Sequence, residues 1–202
     1  MAKKILLLFA HPAFNNSRVH SQLLHTAKGV ENLTIHDLYA QYPDEFIIAE
    51  REQTLLNNHD IILMQFPFYW FSTPGILKNW QDIVLEYGYA IGGDKQALKD
   101  KYFGVITSTG GRDYSATNEE GFRRLTVRDY LVPLESMAMV CAMKYLPPFV
   151  IHDGRRIDDE KLAQHARNYR YYLDNLSAIE KYYEDWKSAT NINGVLFGAK
   201  GW

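Results

Sequence analysis

Two short runs of almost purely apolar residues constrain the fold of this chain more than any other feature. Lys3–Ala10 reads KKILLLFA and Asp60–Phe66 reads DIILMQF, and neither run alternates apolar with polar residues. Short runs without alternation are typical of strands that are buried on both faces of a parallel sheet. Because parallel strands need crossover connections, helices are expected between them.

The rest of the chain supplies the other elements of such a sheet. Three further strands are predicted at Leu33–Leu38, Lys101–Ser108 and Met143–Ile151. Helices are predicted after a Ser17 cap, at Glu50–Asn58, from Pro74 after a Ser72 or Thr73 cap, and at Asp158–Leu176. This alternation predicts an α/β fold: a doubly wound, five-stranded parallel sheet with helices on both faces.

A chain of 202 residues can be served by one hydrophobic core. We therefore predict one domain over residues 1–176. Residues 177–202 are predicted to form a C-terminal tail that packs on this domain or on a dimer partner.

Charge, cysteine and histidine content exclude several classes of function. The chain has 22 Lys and Arg against 24 Asp and Glu, which gives no basic surface for nucleic acid. The single cysteine, Cys141, excludes an intrachain disulfide framework and a CxxC redox pair, and no histidine spacing predicts a metal site. The N-terminal apolar run is too short for a signal peptide, so we expect a cytoplasmic protein, with peripheral docking at the inner face of a membrane left open.

Two loops that follow predicted strands carry residues suited to binding a ligand, because ligands of open α/β sheets bind at the carboxyl ends of strands. Ala10–His20 places His11 and Ser17 at a helix N-terminus, where free N–H groups favour a phosphate, although Ser17 could serve only as a cap. Thr107–Ser115 contains Gly110 and Gly111, which let the backbone approach a ligand, although many such pairs are ordinary turns. Neither a P-loop nor a GxGxxG motif is present.

The loop Gln65–Thr73, which reads QFPFYWFST, accounts for part of the high aromatic content of 14%. The aromatic residues between Phe66 and Phe71 could form a slot for a flat ring, and the alternatives are an aromatic subcore or a dimer interface. Together the three loops predict a ligand with a phosphate at one end and a flat heteroaromatic ring at the other. That is the shape of FMN.

Several long motifs occur in an order that resembles one known family. They are AHP with Ser17, HDLYAQYPDEFI at His36–Ile47, QFPFYWFSTPGILKNW at Gln65–Trp80, EYGYAIGG at Glu86–Gly93, TSTGG at Thr107–Gly111 and YLPPFVIH at Tyr145–His152. Over roughly Lys3 to Leu176, the chain resembles the flavodoxin-like NAD(P)H:quinone oxidoreductases. More narrowly, it resembles the ancillary flavoproteins of glutathione-regulated potassium-efflux systems.

This resemblance implies a flavodoxin-like fold, a homodimer with its sites at the subunit interface, and FMN, or else FAD, as the cofactor. It assigns the flavin phosphate to His11, Ser17, Arg18, Val19 and His20. It assigns the isoalloxazine ring to Pro67, Phe68, Tyr69, Trp70 and Phe71 on one side and to Ser108, Thr109, Gly110 and Gly111 at the other edge. Tyr114 is the implied catalytic hydrogen-bond donor, and Gly88 and Tyr89 of the neighbouring subunit are expected in the pocket wall.

The implied reaction is a ping-pong, two-electron reduction of quinones or similar small acceptors, with NAD(P)H as co-substrate. The alternative is a regulatory ancillary subunit that docks on a potassium-efflux transporter. A pure electron carrier is disfavoured because the balanced charge provides no acidic rim for a partner. Arg155 and Arg156 are expected to be solvated, with recognition of a 2′-phosphate as the lesser alternative.

Overall fold

A parallel sheet forms the centre of the molecule. The computed structural model describes residues 2–92, 96–111 and 125–198. In these residues the strands are β1 (Ile5–Phe9), β2 (Leu33–Asp37), β3 (Ile61–Pro67), β4 (Tyr102–Ser108), β5 (Lys144–Tyr145) and β6 (Phe149–Ile151). The order is β2-β1-β3-β4, and both β5 and β6 pair in parallel with β4. The predicted doubly wound parallel sheet is confirmed.

The fifth position of the sheet holds two short strands, where a single strand within Met143–Ile151 was predicted. Tyr145 pairs with Phe103, and Phe149 pairs with Ile106. Three residues (146–148) therefore lie between the paired positions on this edge, against two (104–105) on β4. Pro147 and Pro148 lie in the interruption, and neither has an N–H to donate to β4. The extra residue makes this edge of the sheet bulge, as unpaired residues do in other sheets.

Helices cover both faces of the sheet. They are α1 (Arg18–Ala27), α2 (Leu38–Gln41), α3 (Ala49–Asn57), α4 (Gly75–Val84), α5 (Val127–Tyr130), α6 (Val132–Val140), α7 (Asp159–Leu176), α8 (Tyr183–Trp186) and α9 (Ile192–Phe197). Helices α1 and α7 pack together on one face, and α3 and α4 pack together on the other. Pro74 itself is the N-cap of α4, so the predicted cap at Ser72 or Thr73 is wrong.

The described part of the tail packs on the domain. Ile179, Trp186 and Ile192 are buried in the same apolar cluster as α1 and α7. The Asn193 side chain accepts from the Val150 N–H at 2.9 Å and donates to the Val150 carbonyl at 3.1 Å. The tail thereby occupies polar backbone groups at the edge of β6, which an exposed edge strand would offer to another chain.

The lengths and hydropathies of the helices bear on membrane insertion. Within the described ranges, none of them combines the length and the apolar character that crossing a bilayer requires.

Candidate functional site

A cavity of about 690 Å³ opens at the carboxyl edge of the sheet. Its volume lies within the range of roughly 300–1,000 Å³ that is typical of small-molecule sites. It brings together almost all the residues predicted to bind a cofactor: His11, Ser17, Arg18, Val19, Pro67, Phe68, Tyr69, Trp70, Phe71, Ser108, Thr109, Gly110 and Gly111. Three loops that are far apart in the sequence therefore share one wall.

The N-terminus of α1 offers two free backbone donors to this cavity. Ser17 is the N-cap, and its side chain accepts from the His20 N–H at 3.2 Å. The backbone N–H of Ser17 donates to the Phe14 carbonyl. Among the described residues, the N–H groups of Arg18 and Val19 have no acceptor. Two free N–H groups at the positive end of a helix favour an anion.

His11 lines the same end of the cavity as a neutral donor. Its Nδ1 accepts from the Ala13 N–H at 3.1 Å, so the ring proton is on Nε2. Burial lowers the pKa of His11, and this effect exceeds the opposing influence of Asp37, so the ring is neutral at pH 7. The guanidinium of Arg18 is turned away, toward the Ile157 carbonyl and the Asp159 carboxylate.

His20 does not line the cavity, although the resemblance assigned it to the flavin phosphate. It is fully buried beneath the wall, where its Nε2 lies 3.0 Å from Ser108 Oγ and its Nδ1 lies 3.3 Å from Gln65 Nε2. Burial, with a smaller effect of His11, lowers the pKa of His20 to about 3. This side chain can reach a ligand only through Ser108.

The aromatic loop closes in a strained turn. Trp70 and Phe71 have φ angles of 50° and 62°, and the Ser72 N–H donates to the Tyr69 carbonyl at 3.0 Å. Two consecutive left-handed residues make a type I′ turn, a geometry that usually requires Asn and Gly. Bulky residues with a positive φ cost free energy, and backbone strain of this kind is typical of ligand-binding sites.

The aromatic residues of this loop have different environments. Phe66 is fully buried in the core and lies off the cavity, so its predicted place in the slot is wrong. Phe71 packs on Tyr130 of α5 with ring centroids 4.9 Å apart, and Phe68 lies 6.0 Å from the same ring. Trp70 lines the cavity but is 94% exposed.

Replacing Trp70 with glycine is expected to stabilise the unliganded protein by about 1 kcal/mol. Glycine adopts a positive φ without the cost that an L side chain carries, and the exposed indole contributes little packing. Chemical denaturation would measure the change. The control is Trp70→Ala, which removes the indole but keeps a Cβ at positive φ, and it should give no stabilisation. Equal stabilities of the two variants would contradict the strain argument.

The cavity lining also includes Ala13, Asn16 and Gly154, which were not named as cofactor ligands, and Arg155, for which a ligand role was only the lesser alternative. Gly154 and Arg155 follow β6, so the rule about carboxyl ends of strands could have found them. A Cβ added at Gly154 would lie only 3.3 Å from Val19 Cγ2, so a larger residue would crowd this part of the cavity wall. Arg155 lies against Gly110 and has no ion pair or hydrogen bond with another described residue.

Chemistry at this site would therefore depend on groups that donate hydrogen bonds or carry positive charge. The described lining includes two arginines and no carboxylate. No group of three His, Cys, Asp or Glu side chains in the described ranges is placed to hold a metal ion. The arrangement suits a ligand with an anionic group near α1 and a flat, apolar part near the aromatic loop.

Two predictions about the pocket wall have different outcomes. Tyr114 lies outside the described residues, so its catalytic role stays a prediction. The Tyr89 hydroxyl points back into its own chain, where it lies within hydrogen-bonding distance of the Gln53 carbonyl and of Asn57 Oδ1, each at 3.1 Å. The neighbouring Tyr87 is 82% exposed and is the side chain of this segment that could reach another molecule.

The sequence and the fold are both similar to those of known proteins. Residues 3–173 match the Flavodoxin_2 family, which is described by its flavodoxin-like fold. The glutathione-regulated potassium-efflux system ancillary protein KefG of Cronobacter sakazakii is 42% identical over 170 residues, covering 84% of this chain and 92% of that protein. KefG of Escherichia coli O1:K1 is also 42% identical, over 85% of this chain and 93% of its own length.

Three solved structures superpose closely. A thermophilic tryptophan halogenase from Streptomycin violaceusniger has a TM-score of 0.79 and 36% identity, covering 83% of this chain and 97% of its own. General stress protein 14 from Treponema denticola, in complex with FMN, has a TM-score of 0.77 and 35% identity, covering 86% of this chain and 99% of its own. An NADPH-quinone reductase from P. pentosaceus has a TM-score of 0.75 and 28% identity, covering 85% of this chain and 98% of its own.

Proposed function

This chain belongs to the Flavodoxin_2 family, and we propose that it is an FMN-dependent oxidoreductase that uses NAD(P)H to reduce a quinone-like acceptor by two electrons. One observation carries the proposal: a single cavity joins the free N–H groups of α1 to the aromatic loop. An FMN complex of a protein 35% identical to this chain supports the choice of cofactor. An NADPH-quinone reductase at 28% identity supports the choice of reaction.

The residues present fit FMN at both ends. The Arg18 and Val19 N–H groups would hold the phosphate. The hydroxyl of Ser108, which the resemblance assigned to the ring edge, would instead contact the phosphate-bearing chain, since Ser108 Oγ lies 3.0 Å from His20 of α1. The loop from Pro67 to Phe71 would lie along the ring, and Gly110 and Gly111 would let the backbone approach its edge. The described lining has no carboxylate that would repel the phosphate.

A bound FMN supplies reversible two-electron chemistry, which the side chains do not, because one cysteine cannot form a dithiol. The protein's part is to bind and orient the reactants and to exclude water. His11, whose ring proton is on Nε2, would donate to the bound cofactor, and Trp70 contributes an exposed apolar side chain to the cavity lining. Arg155, which has no ion pair or hydrogen bond within the described ranges, is suited to an anionic group of NAD(P)H or to negative charge that develops nearby. Tyr114 remains the candidate catalytic donor.

The fold by itself does not decide among reactions, since its neighbours include a protein described as a halogenase. The deciding experiment begins with the visible spectrum of the purified protein and identification of the released flavin. Stopped-flow mixing with NADH or NADPH, followed by a benzoquinone, should then give reduction and rapid reoxidation of the flavin. A protein that binds neither FMN nor FAD would contradict the cofactor assignment. Reduction without quinone-dependent reoxidation would contradict the acceptor class.

A second candidate function is that of an ancillary subunit of a potassium-efflux system, favoured by the 42% identity to KefG over most of both chains. Such a role needs a docking surface apart from the cavity. Helix α6 exposes Val132, Met139 and Val140 on its outer side, which would suit a partner or a second copy in a homodimer. Co-purification with the soluble domain of a transporter, together with absent quinone turnover, would rank this role above catalysis.

A further inference from the structure

A chain of buried polar side chains leads from α7 to the cavity wall. The Tyr169 hydroxyl donates to Gln65 Oε1 at 2.7 Å, Gln65 Nε2 lies 3.3 Å from His20 Nδ1, and His20 Nε2 lies 3.0 Å from Ser108 Oγ. Tyr169, Gln65 and His20 are fully buried, and Ser108 lines the cavity. These side chains come from α7, β3, α1 and β4, and the hydrogen bonds run along the face of the sheet that α1 and α7 cover.

The first two hydrogen bonds determine which groups donate and which accept along the series. Tyr169 donates its hydroxyl proton to Gln65 Oε1, which orients the amide so that Nε2 faces His20. An amide nitrogen only donates, so His20 Nδ1 must accept. Because burial lowers the pKa of His20 to about 3, the ring is neutral and carries its one proton on Nε2.

The third hydrogen bond determines whether the Ser108 hydroxyl donates or accepts at the cavity. His20 Nε2–H donates to Ser108 Oγ, so the serine oxygen acts as an acceptor within the protein. Its hydroxyl proton then has no acceptor among the described residues, because no other bond of this hydroxyl lies within them. A hydroxyl in this state presents a donor to the cavity. It matches an oxygen that accepts hydrogen bonds, such as one of a phosphate.

We propose that Tyr169, Gln65 and His20 are positioning residues that hold the Ser108 hydroxyl as a donor to an acceptor oxygen of the bound ligand. The inference rests on the proposed function in one respect: the ligand oxygen is then one of the ribityl phosphate chain of FMN. His20 acts in this scheme through Ser108, which replaces the direct phosphate contact that the resemblance implied.

The test begins with the unliganded protein and does not depend on flavin. Long-range ¹H–¹⁵N correlation spectra of ¹⁵N-histidine-labelled protein distinguish the two neutral tautomers of imidazole. His20 is expected in the form protonated at Nε2. The opposite tautomer, with the proton on Nδ1, would overturn the proposal, because Ser108 would then donate to His20.

Tyr169→Phe removes the hydroxyl that orients Gln65 and keeps the ring. We expect His20 to lose its single tautomer and the dissociation constant for FMN to rise about fivefold, which is the loss of roughly one hydrogen bond. Tyr172→Phe is the matched control, because Tyr172 is equally buried on the same helix and its hydroxyl has no partner within the described residues. It should change neither quantity.

An unchanged tautomer and an unchanged FMN affinity in a folded Tyr169→Phe protein would overturn the proposal. So would equal effects of the two phenylalanine variants, because they would show general loosening of α7. If the wild-type protein binds no flavin while His20 shows the expected tautomer, the proposed function fails and the directed hydrogen-bond chain stands.

Discussion

Replacing Glu52 with alanine is expected to lower the free energy of unfolding by about 4 kcal/mol. Glu52 lies on α3 and is fully buried, yet its carboxylate accepts three hydrogen bonds. Tyr42 OH donates at 2.6 Å, Trp80 Nε1 donates at 2.8 Å, and His36 Nε2 lies at 2.9 Å. Alanine would leave these donors without a partner in a cavity of the size of the lost side chain.

Glutamine at the same position separates hydrogen bonding from charge. The indole N–H of Trp80 only donates, so the amide oxygen must face it. The amide NH₂ would then face Tyr42 and His36, and both of these side chains can accept as well as donate. We therefore expect Glu52→Gln to cost only about 1 kcal/mol. The exposed Glu50 on the same helix is the control, and Glu50→Ala should cost less than about 0.5 kcal/mol.

The stability that Glu52 contributes should depend on pH. Burial raises the pKa of this carboxyl, but hydrogen bonds from His36, Tyr42 and Trp80 outweigh burial, so its pKa lies below the ordinary value of 4.5. The unfolded chain therefore binds a proton at a higher pH than the folded one, and the contribution is complete above pH 4.5. It is lost as the pH falls through the folded pKa.

Urea denaturation at several pH values would measure this dependence. Wild-type protein should lose more stability below pH 4.5 than Glu52→Gln does, because the glutamine has no proton to bind. Identical pH profiles, or equal losses in the alanine and glutamine variants, would contradict the assignment of these hydrogen bonds.

Glu52 also illustrates what the sequence does not reveal. A glutamate on a predicted surface helix is usually solvated, and it is found buried only where partners satisfy it. Its partners lie on β2, beside α2 and on α4, so local periodicity carries no sign of them. The strands β1 and β3, in contrast, were predictable because each is a continuous apolar run that is buried on both faces.

The cavity was predictable to a similar degree and for a similar reason. Loops at the carboxyl ends of parallel strands meet at one edge, so the composition of three loops predicted most of its wall. The direction of the His20 side chain was not predictable, because it depends on Gln65 and Tyr169 from distant segments. The division of the fifth strand was partly readable from Pro147 and Pro148. Its register shift was not, because register depends on the pairing with β4.

Arg18→Pro is expected to weaken FMN binding about 30-fold relative to Arg18→Ala. Arg18 is the first residue of α1, where proline is well tolerated, and Ser17 has the extended conformation (φ −93°, ψ 103°) that a following proline requires. Proline therefore removes one free N–H from the cavity without disrupting the start of the helix. A hydrogen bond to a charged phosphate contributes about 2 kcal/mol, which corresponds to this change in affinity.

The alanine variant makes the comparison specific to the backbone. Both substitutions remove the guanidinium that contacts the Ile157 carbonyl and Asp159, and only proline also removes the N–H. Titration of flavin fluorescence would give the dissociation constants, with riboflavin as the ligand that lacks a phosphate. Riboflavin should bind the two variants equally. If FMN also bound them equally, the phosphate could not lie at the N-terminus of α1. A parallel loss of riboflavin would instead mean that proline had distorted the cavity.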